Sequence, residues 1–155
     1  AFKMAKLKIP ELRLIIAGEG KIDFNYHEIS NIEVLNQNIT NNLLVKIIRR
    51  CSIVVCPYIS ASQSGIPMVA YYFRKPIIAT NVGGLPEVIE NNVTGIIVPP
   101  ENSYALAKAI EKIISDSELR NTFKLNIQNK YSSSEFSWQE IARKTLDVYK
   151  RARNI

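Results

Sequence analysis

The chain has 155 residues, 46% of them hydrophobic and 22% charged, with a formal net charge of +6. That balance fits a single folded domain with a core of ordinary size and excludes a disordered chain. Its longest apolar stretches, such as Leu14–Ala17 and Ile53–Cys56, fall far short of the ~20 residues that a membrane-spanning helix needs.

In chain order, Phe2, Ala5 and Leu7–Ile9 suit one face of an opening helix. Leu12–Ala17 follow as a strand closed by the turn Gly18-Glu19-Gly20, and Lys21–Ser30 hold a short helix before a weaker strand at Ile32–Leu35. Thr40 or Asn41 caps a helix whose Leu44, Ile47, Ile48 and Cys51 fall at helical spacing, and the strand Ile53–Cys56 stops at Pro57. A helix runs from about Gln63 to Phe73, then a strand over Pro76–Ala79, a helix over Pro86–Glu90 and a strand over Gly95–Val98. Three helices finish the chain: Ser103–Ser115, Glu118 to about Gln128, and Trp138 to about Arg153, the last opened by a capping box of Ser137 and Glu140. Short apolar strands alternating with helices predict an α/β fold, a doubly wound parallel sheet covered on both faces.

Ligands of such sheets bind outside the carboxyl ends of the strands. Two segments fall on that side, Ser60–Ile66 and Val82–Glu87, each a small-residue loop that opens a helix. Two helix N-termini then face one crevice, where free N–H groups and glycine backbone suit a phosphate. The candidate contacts are Ser62, Gln63, Ser64, Gly65 and Ile66 from the first segment, with Gly83 and Gly84 from the second. The plainer readings are a helix N-cap and a tight turn. Glu87 reads as a first-turn helix acid, His27 as an exposed structural histidine, Tyr71 and Tyr72 as core and flank of their helix, and Trp138 as a packing anchor. No metal-ligand spacing occurs, and no G-x-G-x-x-G follows a strand, which argues against a dehydrogenase.

Arg143, Lys144, Lys150, Arg151 and Arg153 crowd the last helix. A solvated face is the plain reading, and peripheral contact with an anionic membrane is the functional one. No nucleic-acid module is present. Cys51 and Cys56 fit small buried hydrophobes of a reducing compartment rather than a bridge.

The run from Lys75 to Glu90, continued by Asn91–Gly95, Val98-Pro99-Pro100 and Ala105-Leu106-Ala107, resembles the C-terminal, donor-binding domain of group 1, family-4-type retaining glycosyltransferases of the GT-B fold. Phe136-Ser137-Trp138 is similar to the start of that family's closing helix. The resemblance implies a Rossmann-like domain that binds a nucleotide-diphosphate sugar as substrate, needs no cofactor, and serves a glycan or lipid-linked acceptor in the cytoplasm. It also implies that Asn36 and Gln37, just after a strand, frame the base through backbone groups; a surface loop is the alternative reading of the pair. The family carries two glutamates that contact donor sugar and ribose; here those positions hold Ala61 and Val69, and the loop is similar to a branch with Ser-Gln-Ser-Gly. The family's first strand, its diphosphate-binding Arg and Lys, and its acceptor domain would all precede Ala1, so the fragment is expected to be inactive alone. With strand order 3-2-1-4-5-6, the absent strand is the central one, which predicts exposed strand edges and strand exchange between copies. A noncatalytic nucleotide- or partner-binding module of the same fold is the alternative.

Overall fold

The computed structural model describes residues 1–131 and 138–153. Its elements are α1 (Phe2–Lys6), β1 (Leu14–Gly18), β2 (Ile32–Asn36), α2 (Asn41–Arg50), β3 (Val54–Cys56), α3 (Ile66–Tyr72), β4 (Ile77–Thr80), α4 (Leu85–Val88), β5 (Gly95–Val98), α5 (Ser103–Ser115), α6 (Ser117–Tyr131) and α7 (Trp138–Arg153). The expected alternation of strands and helices is present, and every strand pairing is parallel.

The strands form two sheets rather than one. β1 pairs with β2, from Leu14 opposite Ile32 to Gly18 opposite Asn36, while β4 lies between β3 and β5. Burial follows the division. All four residues of β4 are buried, whereas Leu14, Ile15 and Ile16 of β1 and Val54 and Val55 of β3 are only half-buried.

Side chains of β4 alternate between two apolar clusters, as a strand covered on both faces must. Ile78 joins Ile96 and Val98 against Ala107, Ile110 and Ile113 of α5, with Phe123 of α6. Ile77 and Ala79 face the other way, onto Ala70 and Tyr71 of α3, Leu85, Ile89 and Ile127. Each fully buried Ile or Phe here contributes roughly 1.5–3 kcal/mol relative to an exposed one. The second cluster holds one buried polar pair, Tyr71 Oη to Thr94 Oγ1 at 2.7 Å. Thr94 Oγ1 also accepts the Glu90 N–H at 3.1 Å, so neither buried hydroxyl lacks a partner.

Several boundaries differ from the sequence expectation for local reasons. Lys21–Ser30 form no helix: Asn25 Oδ1 takes the His27 N–H at 3.2 Å and Asn25 Nδ2 donates to Glu28 Oε1 at 2.7 Å, turns that compete with helical bonds. α3 begins at Ile66 rather than Gln63, because Pro67 sits in its first turn. Thr40, not Asn41, caps α2, its Oγ1 accepting from the Leu43 N–H. α7 is present, but Ser137 of its expected capping box and the family-like Phe136 lie outside the described residues. Arg143 of α7 bonds Glu140 and Asp147, and Lys144, Lys150, Arg151 and Arg153 are exposed. Ile141, Leu146, Val148 and Tyr149 on the same helix are exposed as well.

Candidate functional site

The loop after β3 is tied to the end of β4. The buried Thr80 hydroxyl lies 2.6 Å from the carbonyl oxygen of Tyr58 and 3.4 Å from that of Cys56. The Tyr58 hydroxyl in turn sits 3.2 Å from Ser64 Oγ, and burial pushes that phenol above its ordinary value. Ser64 Oγ also accepts the Ile66 N–H at 3.3 Å, closing the turn into α3.

The turn after β4 locks onto the same loop. Gly84 N–H donates to the Ser62 carbonyl at 2.9 Å. Gly83 has φ 52 and approaches Ala61 so closely that a Cβ would stand 1.8 Å from the Ala61 carbonyl oxygen. Ser62, Gln63, Ser64, Gly65, Ile66, Gly83 and Gly84 are therefore brought together, as the sequence led us to expect.

The supply of free N–H groups is narrower than that expectation. α3 and α4 open alike, with Gly65-Ile66-Pro67 and Gly84-Leu85-Pro86, and neither has a side-chain cap. Each proline removes a donor. At α4 the remaining donors are spent within the chain: Gly84 on Ser62, Leu85 on the Val82 carbonyl at 3.3 Å, and Glu87 on the Gly84 carbonyl at 3.2 Å. The Gly83 N–H, in the turn that leads into α4, finds no acceptor among the described residues. The N–H groups of Gln63, Ser64, Gly65 and Met68 find no acceptor among the described residues. These, on the loop and first turn of α3, together with the Gly83 N–H on the facing turn, are donors available to an oxyanion.

A cavity of about 160 Å³ lies between the two segments, lined by Gln63, Ser64, Met68, Gly84, Leu85 and Glu87. Glu87 was not a site candidate from sequence, where its place in a first helical turn accounted for it. Asn36 and Gln37 stand apart from this cluster. Asn36 Oδ1 accepts the Gly20 N–H at 3.0 Å, and the Gln37 N–H donates to Leu35, so both belong to the exposed end of the β1-β2 piece. A larger hollow of about 430 Å³ lies beneath α1, between Lys3, Lys6 and Glu28. Lys6 there is already engaged with the Ser30 carbonyl at 2.6 Å.

Cys51 and Cys56 are both free thiols. Burial pushes Cys56 up to about 11, the state of an inert structural cysteine rather than a nucleophile. Among the described residues no cluster of three His, Cys, Asp or Glu is placed to hold a metal, and no helix is long and apolar enough to cross a membrane.

The sequence profile of the group 1 glycosyl transferases matches residues 1–130. The chain belongs to that family. As a group 1 glycosyltransferase chain, it is 30% identical over 146 residues to an uncharacterized glycosyltransferase of Methanocaldococcus jannaschii, covering 90% of this chain and 37% of the relative. It is 29% identical over 152 residues to the capsular polysaccharide biosynthesis glycosyltransferase CapM of Staphylococcus aureus, covering 91% and 39%. This glycosyltransferase chain therefore spans less than two fifths of the length of these relatives. Its fold matches the Anabaena protein HepE, solved with UDP-glucose, at a TM-score of 0.75 and 20% identity, over 96% of this chain and 44% of that one.

Proposed function

We propose that this chain is the donor-binding, C-terminal part of a retaining, family-4-type glycosyltransferase that moves a hexose from a nucleotide-diphosphate sugar to a glycan or lipid-linked acceptor. Family membership and the UDP-glucose bound by HepE support a nucleotide sugar as donor. The observation that carries the assignment to a site is the interlock of Ala61-Ser62 with Gly83-Gly84, beside a cavity and beside the N–H groups of Gln63, Ser64 and Gly65, which have no acceptor among the described residues. Oriented N–H groups stabilise the negative charge that develops on a departing diphosphate without reorganising. In the proposal the cations come from the chain that precedes, together with the acceptor domain, and the isolated fragment is inactive. Asn36 and Gln37 frame the base, no cofactor takes part, and polysaccharide synthesis in the cytoplasm is the setting. The basic, apolar-striped α7 gives peripheral contact with the inner face of the membrane.

Gly65 supplies the test. It has an ordinary backbone conformation, and a Cβ there would meet nothing within 4 Å, so the fold itself places no demand for glycine at this position. In the intact polypeptide, Gly65→Trp is expected to leave the melting temperature almost unchanged and to weaken nucleotide-sugar binding at least tenfold by calorimetry. Unchanged affinity refutes the site.

The same reading places one further parallel strand between β1 and β3, whose half-buried apolar residues it would cover. The isolated chain is then expected to self-associate through those edges, seen by light scattering as dimers or larger species, whereas the intact polypeptide stays free of such pairing. A monodisperse monomer of the isolated chain at high concentration counts against it. Ala61 and Val69, which cannot accept hydrogen bonds from sugar hydroxyls, are the one observation that favours a noncatalytic binding module; hexose transfer by the intact polypeptide excludes that alternative.

A further inference from the structure

We propose that Glu87 is a donor-sugar contact, accepting hydroxyl groups of a neutral hexose in the cavity beside Gln63 and disfavouring donors whose sugar carries a carboxylate. The inference rests on the donor-site reading above and adds the chemical class of the sugar. Glu87 is the third residue of α4, where an acid ordinarily reaches back to accept the N–H of the residue that caps the helix. That N–H belongs to Gly84 and is already given to the Ser62 carbonyl at 2.9 Å. The structural duty of Glu87 is thereby taken over by another segment, and its carboxylate has no hydrogen bond or ion pair among the described residues while lining the cavity.

The neighbourhood narrows what the carboxylate can meet. Glu90, the other acid of the segment from 57 to 98, is paired with Lys130. Gln63 Cγ and Glu87 Oε2 lie 3.5 and 4.0 Å from the point that a Cβ of Gly84 would occupy, so the absent side chain leaves the space between amide and carboxylate open. About 160 Å³ accommodates a single sugar ring and not a nucleotide, and Met68 and Leu85 give the ring an apolar wall. Ala61 and Val69 leave hydroxyl recognition to other side chains. A carboxylate accepting from hydroxyls forms charge-assisted bonds, roughly twice as strong as neutral ones. Glu87 is also the only formal charge among the lining residues, so a uronate meets repulsion that no cation among those residues offsets.

Calorimetry on the intact polypeptide, with UDP-glucose beside UDP and GDP-mannose beside GDP, measures how much affinity the sugar adds. For the donor that binds, Glu87→Gln is expected to cut that gain about tenfold while leaving diphosphate affinity within about twofold. The same variant is expected to narrow the preference for the hexose donor over its uronate, UDP-glucuronate or GDP-mannuronate. An unchanged sugar gain in Glu87→Gln, with Gly65→Trp still weakening binding at least tenfold, overturns the role of Glu87 and leaves the donor site standing. Binding of neither donor by the parent polypeptide, or binding indifferent to Gly65→Trp, overturns the donor site and this inference with it.

Discussion

Gly83→Ala is expected to release the loop carrying Ser62, Gln63 and Ser64 from the turn that holds it, with loss of both stability and nucleotide-sugar binding. Two costs add. At φ 52 an alanine occupies the left-handed region, which costs about 1–2 kcal/mol relative to glycine. Its Cβ would also stand 1.8 Å from the carbonyl oxygen of Ala61 and 2.9 Å from that of Ser62, both backbone atoms that can yield only if the loop moves. Overpacking of this kind costs about 1–3 kcal/mol, so a loss of ~3 kcal/mol is expected from a total stability of about 5–15 kcal/mol. Gly84→Ala is the control. Its Cβ would lie 3.3 Å from the Ser62 carbonyl oxygen, a contact that a small adjustment relieves, and the expected loss is below about 1 kcal/mol. Urea denaturation measures the first effect and donor binding by the intact polypeptide the second. Equal loss of stability in the two variants would show that the interlock does not hold the loop; donor binding of Gly83→Ala is compared with the parent alone, because Gly84 itself lines the cavity.

That interlock was only partly legible in the sequence. Gly83-Gly84 announces a turn, and Ser60–Ile66 announces a helix entrance, because glycine, serine and proline carry backbone preferences of their own. The contact between the two is made by the backbones of Ala61, Ser62, Gly83 and Gly84, and side-chain types do not encode which carbonyl a glycine N–H will meet. The same gap explains Glu87. Its position in a first turn was readable, but the loss of its ordinary partner depends on Ser62, two dozen residues upstream, reaching Gly84 first.

Elements with a strong internal pattern were read closely. α5 runs over Ser103–Ser115 as the stripe of Leu106, Ile110, Ile113 and Ile114 indicates, and β5 over Gly95–Val98 because Thr94-Gly95 and Pro99 bound it. What the pattern did not supply was the cap: Asn102 Oδ1, not a residue of the helix, accepts the Ala105 N–H at 2.9 Å. Lys21–Ser30 failed because short-range bonds from Asn25 decide that stretch and no apolar period competes with them. The division of the sheet is the reverse case. Leu14-Ile15-Ile16 and Ile53-Val54-Val55 are half-buried at the edges of two separate pieces, the exposed strand edges that the expected strand order implied.

Gly95→Ala is expected to be strongly destabilising. Gly95 stands opposite Ile77 in the β4-β5 pair, and a Cβ there would lie 2.1 Å from the Ile77 carbonyl oxygen and 3.0 Å from its carbonyl carbon. Relief requires β4 or β5 to retreat. β4 cannot do so, because it is buried along its whole length between β3 and β5, with Ile77 and Ile78 anchored in the two opposite clusters. Moving β5 breaks the register that seats Ile96 and Val98 against α5 and draws Thr94 away from the Tyr71 hydroxyl, leaving a buried phenol without a partner at about 1–3 kcal/mol. Clash and lost pairing together are expected to exceed about 4 kcal/mol, a magnitude reserved for core backbone disruption. Circular dichroism of Gly95→Ala is then expected to show a protein largely unfolded at room temperature, while Ile96→Val, in the next position of the same strand, costs only about 0.5–1.5 kcal/mol. A Gly95→Ala variant that melts within a few degrees of Ile96→Val would mean that β4 and β5 do not approach as closely as this register requires.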